Sequence, residues 1–419
     1  MDFKKYKLRD IATVDISSID KKSYEGEKPV RLCNFTDVYK NWSITKYLYP
    51  SLMKATAKDR DIEKFSLRKG QVAITKDSET RDDIGIPTYI ADDFDDVVLG
   101  YHCALITPGD TLDGKYLNAY LNSKMAKKYF EGYASGSGQR YTLTLDSIND
   151  IQIWMPDIET QRKLSEILSD IDKKISLNTR MNAELEAMAK QLYDYWFVQF
   201  DFPDENGNPY KSSGGKMVYN STLKREIPAG WDVKSLNQLA QTPKESINPF
   251  ENPEKDYKHY SIPAFDACGS YLVEKGEVIQ SNKFIVNKGQ ILVPKLNPWY
   301  NRVILVDSNE YSICSTEFVI LDAIEDYVKG FLFYTVKTDS FISYCTKGST
   351  GTSHSQRRVP PEILKAYNVP YNKDVASSFT ACVMQQLSMI NRNMNEVKQL
   401  THLRDSLLPM LMNGQVTVE

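Results

Sequence analysis

Two stretches of this chain carry hydroxyls, glycines and cations without a single carboxylate. One runs from Gly132 to Leu145 and contains Gly136, Gly138, Gln139 and Arg140; the other runs from Thr346 to Arg358 and contains Lys347, Gly348, Gly351, Gln356, Arg357 and Arg358. Open backbone N–H groups, hydroxyls and arginine suit phosphate oxygens, and arginine or glutamine can also pair with base edges in the major groove. The ordinary alternative is a solvated loop. The recurrence of the same composition in two places, with no repelling carboxylate in either, favours contact with nucleic acid. Lys76, at the end of an apolar run, and Lys295, Asn297 and Arg302 in the corresponding segment are further candidates; a solvated strand end is the alternative there.

Other chemistries find little support. Asn297-Pro298-Trp299-Tyr300 approaches the Asn-Pro-Pro-Tyr motif with which adenine methyltransferases hold a target amino group, but it lacks the second proline and no glycine-rich cofactor loop precedes it. No G-x-x-x-x-G-K-[ST] phosphate loop occurs, and no carboxylate and lysine cluster suggests a nuclease. The six cysteines, Cys33, Cys103, Cys268, Cys314, Cys345 and Cys382, form no C-x-x-C pair and lie apart from the four histidines. Buried reduced thiols are therefore expected rather than a metal site.

The charge balance narrows where a nucleic-acid surface could lie. With 52 Lys+Arg against 55 Asp+Glu, the net charge is -3, so any such surface must be a local patch. Neither a signal-peptide core nor a run long enough to span a bilayer is present, and a cytoplasmic location without membrane contact is expected.

The elements that must position these residues occur twice. Lys69-Gly70-Gln71 is echoed by Lys288-Gly289-Gln290, Gln139-Arg140 by Gln356-Arg357, Trp154-Met155-Pro156 by Asn368-Val369-Pro370, and Asn178 by Asn391. Ordered matches whose offset drifts slowly indicate duplication with small loop insertions. Each half opens with strand-like runs, Gln71–Thr75 and Val97–Ile106 in the first, bounded by turn formers. A short helix is expected over Lys115–Phe130 and another over Val328–Tyr344.

Each half closes on a long helical pattern. Leu168, Ile171, Ile175, Asn178, Leu185 and Leu192 fall at the alternating three and four spacing of a coiled-coil seam, as do Leu387, Ile390, Asn391, Met394 and Val397 in the second half. A helix of about 38 residues would be roughly 57 Å long, too long for the wall of one small domain. The simplest arrangement pairs the two helices antiparallel, with Asn178 and Asn391 as register devices. Between the halves, Phe202 to Gly215 is rich in turn formers and reads as a connector.

The stretch Tyr193 to Pro203, the connector Pro209 to Gly215 and Ile227-Pro228-Ala229-Gly230-Trp231 resemble the central region of type I restriction-modification specificity subunits and the entry to their second recognition domain. Pro156 followed by Gln161 keeps the family's pattern at the start of a long helix, whereas Pro370 is followed by Tyr371 to Val375 without the glutamine. The resemblance implies a non-catalytic chain that binds double-stranded DNA at an interrupted target and recruits two modification subunits, with restriction subunits joining them. S-adenosylmethionine, ATP and magnesium would belong to those partners, and no cofactor or metal to this chain. The expected fold is α+β: two similar target-recognition domains joined by two long antiparallel coiled-coil helices with pseudo-two-fold symmetry. The expected segments are 1–156 and 227–370 for recognition, 157–200 and 371–414 for the helices, and 201–226 for the connector. A self-contained adenine methyltransferase and a coiled-coil scaffold that does not bind DNA are the rival readings.

Overall fold

The computed structural model describes residues 2–136, 138, 140–351 and 356–415. It divides into two units, Met1–Thr179 with Asn395–Glu419, and Arg180–Met394. Both long helices begin in one unit and end in the other.

In the first unit, a five-stranded sheet runs in the order Ala12–Ile16, Cys103–Pro108, Val72–Thr75, Pro87–Ile90, Ser43–Ile44. The apolar runs in its central strands are buried on both faces. Val72, Ile74, Ala104 and Ile106 enter one core with the helices Gly114–Asn122 and Lys124–Tyr133. Ala73, Cys103 and Leu105 enter a second core with the three-stranded sheet formed by Met53–Ala57, Lys28–Cys33 and Val97–Leu99. Because side chains alternate across a strand, a one-residue slip would exchange the two sets, so the register is firmly set. At roughly 1.5–3 kcal/mol for each buried large apolar side chain, this double burial anchors the strand ends from which the candidate residues project.

The second unit repeats these pairings. Ile291–Pro294 lies between Phe318–Ala323 and Ile304–Leu305, as Val72–Thr75 lies between Cys103–Pro108 and Pro87–Ile90. Asp256–Tyr260 pairs parallel with Ser312–Cys314, as Lys28–Cys33 does with Val97–Leu99. The alternation recurs as well: Ile291, Val293, Val319 and Leu321 enter one core, and Leu292, Phe318 and Ile320 another. The duplication is thus one of topology.

Two local expectations are corrected. Val97–Ile106 is two strands, Val97–Leu99 and Cys103–Pro108, because Gly100, Tyr101 and His102 turn between them, with His102 at φ 70°. The single short helix of each half is two. Ser123 and Thr338 break the patterns by capping second helices, accepting from Ala126 N and Phe341 N respectively. Beyond the turn-rich stretch, Met217–Asn220 and Arg225–Pro228 form a hairpin.

The first long helix spans Ile158–Tyr193 and passes into a π-helical turn at Asp194–Val198; the second spans Lys373–Met412. Asp157 caps the first, accepting from the N–H groups of Glu159 and Thr160. The fully buried Gln161 then ties the helix start to the sheet: its Oε1 accepts from Asp113 N (2.9 Å), and its Nε2 donates to Pro156 O (2.9 Å) and Thr111 O (3.0 Å). Lacking that glutamine, the second helix starts on Asn372, whose Oδ1 accepts from Asp374 N and Val375 N.

The helices run antiparallel within each unit. In the first unit, Asn178 donates to Glu396 Oε2 (2.8 Å), while Leu164 and Leu168 share a core with Leu408 and Leu411. In the second, Asn393 donates to Asn182 Oδ1 (2.9 Å), and the rings of Tyr193 and Phe379 are 5.7 Å apart. Asn178 is buried as a seam residue should be, but Asn391 is only half-buried and Asn393 takes the buried place. Of the other seam positions, Leu168, Leu387 and Ile390 are buried, whereas Ile171, Ile175, Leu185, Leu192, Met394 and Val397 are half-buried, because two helices alone cannot cover a seam on all sides. Among the described residues, no helix is long and apolar enough to cross a membrane.

Candidate nucleic-acid interface

In the first unit, the strand Val72–Thr75 delivers Lys76 and Asp77 to a small three-stranded ladder. Asp77–Ser78 pairs with Tyr141–Thr142, which pairs with Ser135–Gly136. A backbone bond from Lys76 N to His102 O (2.9 Å) brings the turn before Cys103 to the same place. Gly136 is required here, since a Cβ at this position would lie 2.1 Å from Arg140 O.

Three cationic or ionisable groups surround the carboxylate of Asp77. Lys76 Nζ lies 2.9 Å from it and Arg140 Nη2 3.5 Å, and His102 Nδ1 is in contact with it. Arg140 Nη2 is also 2.6 Å from His102 Nδ1. Burial pushes the Asp77 carboxyl upward, but hydrogen bonds from Thr142, His102 and Lys76 outweigh it and hold the group below its usual range. The result is an anchored anion beneath an exposed arginine: the Asp77 side chain is 10% exposed and that of Arg140 62%. These residues, with Ser17, Ser18 and Tyr101, line a cavity of about 520 Å³.

The second unit builds the same platform with other side chains. Lys295 N donates to Glu317 O (2.8 Å), so Glu317 stands where His102 does. Arg358 bridges Leu296 and Thr350, as Thr142 lies between Asp77 and Ser135, and its Nε donates to Glu317 Oε2 (3.0 Å). Gly351 repeats Gly136: its Cβ would lie 2.5 Å from Gln356 O. These contacts align Arg140 with Gln356, Tyr141 with Arg357 and Thr142 with Arg358. The pairing of Gln139-Arg140 with Gln356-Arg357 expected from the letters is therefore shifted by one residue.

The comparisons with known proteins agree with this architecture. Residues 1–187 match the family described as "Type I restriction modification DNA specificity domain". Residues 1–187 are thus similar to a type I restriction-modification DNA-specificity domain. It is 24% identical to the type I restriction enzyme HindI specificity subunit of Haemophilus influenzae over 99% of this chain and 100% of that one. It is also 24% identical to the MjaIX specificity subunit of Methanocaldococcus jannaschii, over 89% and 84% of the two chains. In fold it is similar to the type I restriction-modification system S subunit from M. genitalium, with a TM-score of 0.58, 13% identity and coverage of 98% and 96%.

The remaining candidates fall into two sets. Lys347, on the last turn of the helix Asp339–Lys347, and Gln356 are exposed. The others are engaged by the fold: Arg357 Nη2 donates to Ser349 O (2.6 Å), and Arg302 makes a bidentate pair with Asp266 (2.7 and 2.8 Å) while stacking on Tyr300. Asn297, at φ 48°, exchanges bonds with the Arg357 backbone, its Oδ1 accepting from Arg357 N (3.1 Å) and its N–H donating to Arg357 O (2.7 Å). That places the side-chain oxygen in a structural role, unlike a target-holding methyltransferase asparagine. Gln139 lies outside the described residues.

Sequence reasoning missed Asp77, His102 and Glu317. The loops themselves carry no carboxylate, but the fold brings one to each from another element. The only hint was the turn Gly100-Tyr101-His102 interrupting an apolar run. Among the described residues, no group of three or more His, Cys, Asp or Glu side chains could hold a metal ion.

Proposed function

We propose that this chain supplies sequence recognition of double-stranded DNA to a type I restriction-modification assembly in the cytoplasm. Each unit reads one half of an interrupted target. Two modification subunits carry out adenine methylation with S-adenosylmethionine, restriction subunits use ATP and magnesium, and the chain itself catalyses nothing. One observation carries the reading: the same polar platform, with the same backbone register, occurs in both units with different side chains at its exposed positions. A retained scaffold with exchanged contact residues is what two readers of different sequences need, since backbone register positions a contact and side-chain identity selects the base.

The rival of a self-contained methyltransferase is tested directly. The purified chain, incubated with S-adenosylmethionine and duplex DNA, is expected to transfer no methyl group and to bind no cofactor; adding the modification subunit is expected to yield methylation at one interrupted motif. Methyl transfer by the chain alone would overturn the reading. So would a modification subunit that selects the same sites without it.

A further inference from the structure

We propose that Arg140 and Gln356 occupy the same base-reading position in the two units, Arg140 selecting guanine and Gln356 selecting adenine. The inference rests on the DNA-recognition reading above and adds the identity of one base to each half-site.

The equivalence comes from geometry, not from the letters. Each residue places its carbonyl oxygen against the hairpin glycine that permits the turn, Gly136 or Gly351. Both side chains are exposed; of those that follow, Tyr141, Thr142 and Arg357 are half-buried, and Arg358 is exposed but paired. Arg357 turns to the Ser349 carbonyl, and Arg358 pairs with Glu317. The first residue of the return is thus exposed in both units, whereas the third is exposed only in the second, where Glu317 holds it.

The chemistry of the two residues then differs. Arg140 Nη2 lies 3.5 Å from Asp77 and 2.6 Å from His102 Nδ1. Arginine can only donate, so that second contact is a hydrogen bond only if Nδ1 accepts; yet the same nitrogen contacts the Asp77 carboxylate, which it can serve only as a donor. An imidazole protonated on Nδ1 serves both partners, donating to Asp77 there and accepting from Arg140 Nη2 at Nε2, 3.2 Å away. Asp77 and His102 therefore aim the guanidinium, while the Arg140 side chain stays 62% exposed. An arginine fork so aimed matches the two acceptors of guanine, O6 and N7, and the amide of Gln356, with one donor and one acceptor edge, matches N6 and N7 of adenine.

The test is selection of duplexes from a randomised library by the full chain together with its modification subunits, for wild type, Arg140→Gln and Gln356→Arg. Arg140→Gln is expected to replace guanine by adenine at one base pair of one half-site, and Gln356→Arg to do the reverse in the other. Preference at that pair should change by about 5- to 150-fold, the range of one bidentate contact, with all other positions unchanged. Unaltered thermal melting of each variant, expected for exposed side chains, excludes misfolding. An even loss of affinity across all sequences, with a shallower salt dependence, would mark phosphate contacts and overturn the assignment. If wild type itself selects no sequence, the DNA-recognition reading fails, and wild type alone shows it.

Discussion

Gln161 is the sharpest test of how the first long helix is joined to its recognition unit. Replacing it with alanine leaves three groups without their partner, the N–H of Asp113 and the carbonyls of Pro156 and Thr111. At the low end of the cost of an unsatisfied buried group, about 1 kcal/mol each, the loss is roughly 3 kcal/mol, or about a hundredfold in the local opening equilibrium. Asp113 also caps the helix Gly114–Asn122, accepting from Tyr116 N, and accepts from Ser165 Oγ (3.0 Å), so the damage should spread through that corner. Native-state hydrogen exchange reads it locally. Amides around 111–122 are expected to exchange about a hundred times faster in Gln161→Ala, while those of Ile291, Leu292 and Val293 in the other unit keep their protection. Gln161→Glu should be worse still at neutral pH, because a carboxylate would face two carbonyl oxygens, and should recover in acid as a donor is restored. A change of less than about threefold in the 111–122 amides of the alanine variant would refute the idea that this side chain is the tie.

Further outcomes are expected elsewhere. Asp172 is buried, and burial raises its carboxyl above the usual range despite a hydrogen bond from Ser43 and the charge of Arg404. A folded value above the unfolded one means that stability is lost as pH rises through the folded value; Asp172→Asn should therefore melt higher than wild type near pH 7, with the gap closing below about pH 4, and a constant gap would contradict the assignment. Arg302→Ala should cost about 1 kcal/mol through its lost pair with Asp266 and leave every base preference intact; an altered motif would return Arg302 to the DNA-contacting set. Inserting a heptad near Asn178 and another near Asn391 adds about 10.5 Å of helix and should shift the preferred spacer by roughly three base pairs. Activity should fall even there, since a heptad turns a helix by about 20° but three base pairs turn the duplex by about 100°. Undiminished modification at the original spacing would show that the helices are not the ruler.

What could be read from the residues alone follows a physical divide. The long helices announce themselves because burial along a two-helix seam imposes a three and four spacing, and Leu168, Leu387 and Ile390 are buried as that spacing requires. The duplication is legible because the Lys-Gly-Gln turn and the apolar runs after it serve the same doubly buried strands in both units. The platform is not, because it is assembled from three separated elements whose approach depends on strand register. No local pattern tells that Asp77 and His102 meet, or that Glu317 replaces the histidine. The repeated Gln-Arg pair even misleads by one residue, since the hairpin is aligned by glycine packing and backbone bridges. In the seam, the buried asparagine of the second helix is Asn393 and not Asn391, because the partners facing each position lie on the other helix.

The most direct measurement is methylome sequencing of cells that carry the modification subunit with this chain, beside cells that carry the modification subunit alone. An interrupted motif, methylated only when the chain is present, is the predicted result, and exchanging residues 227–370 for those of a relative should change one half of the motif and keep the other. Methylation that is independent of the chain, or an exchange that alters both halves or neither, would contradict recognition of one half-site by each unit.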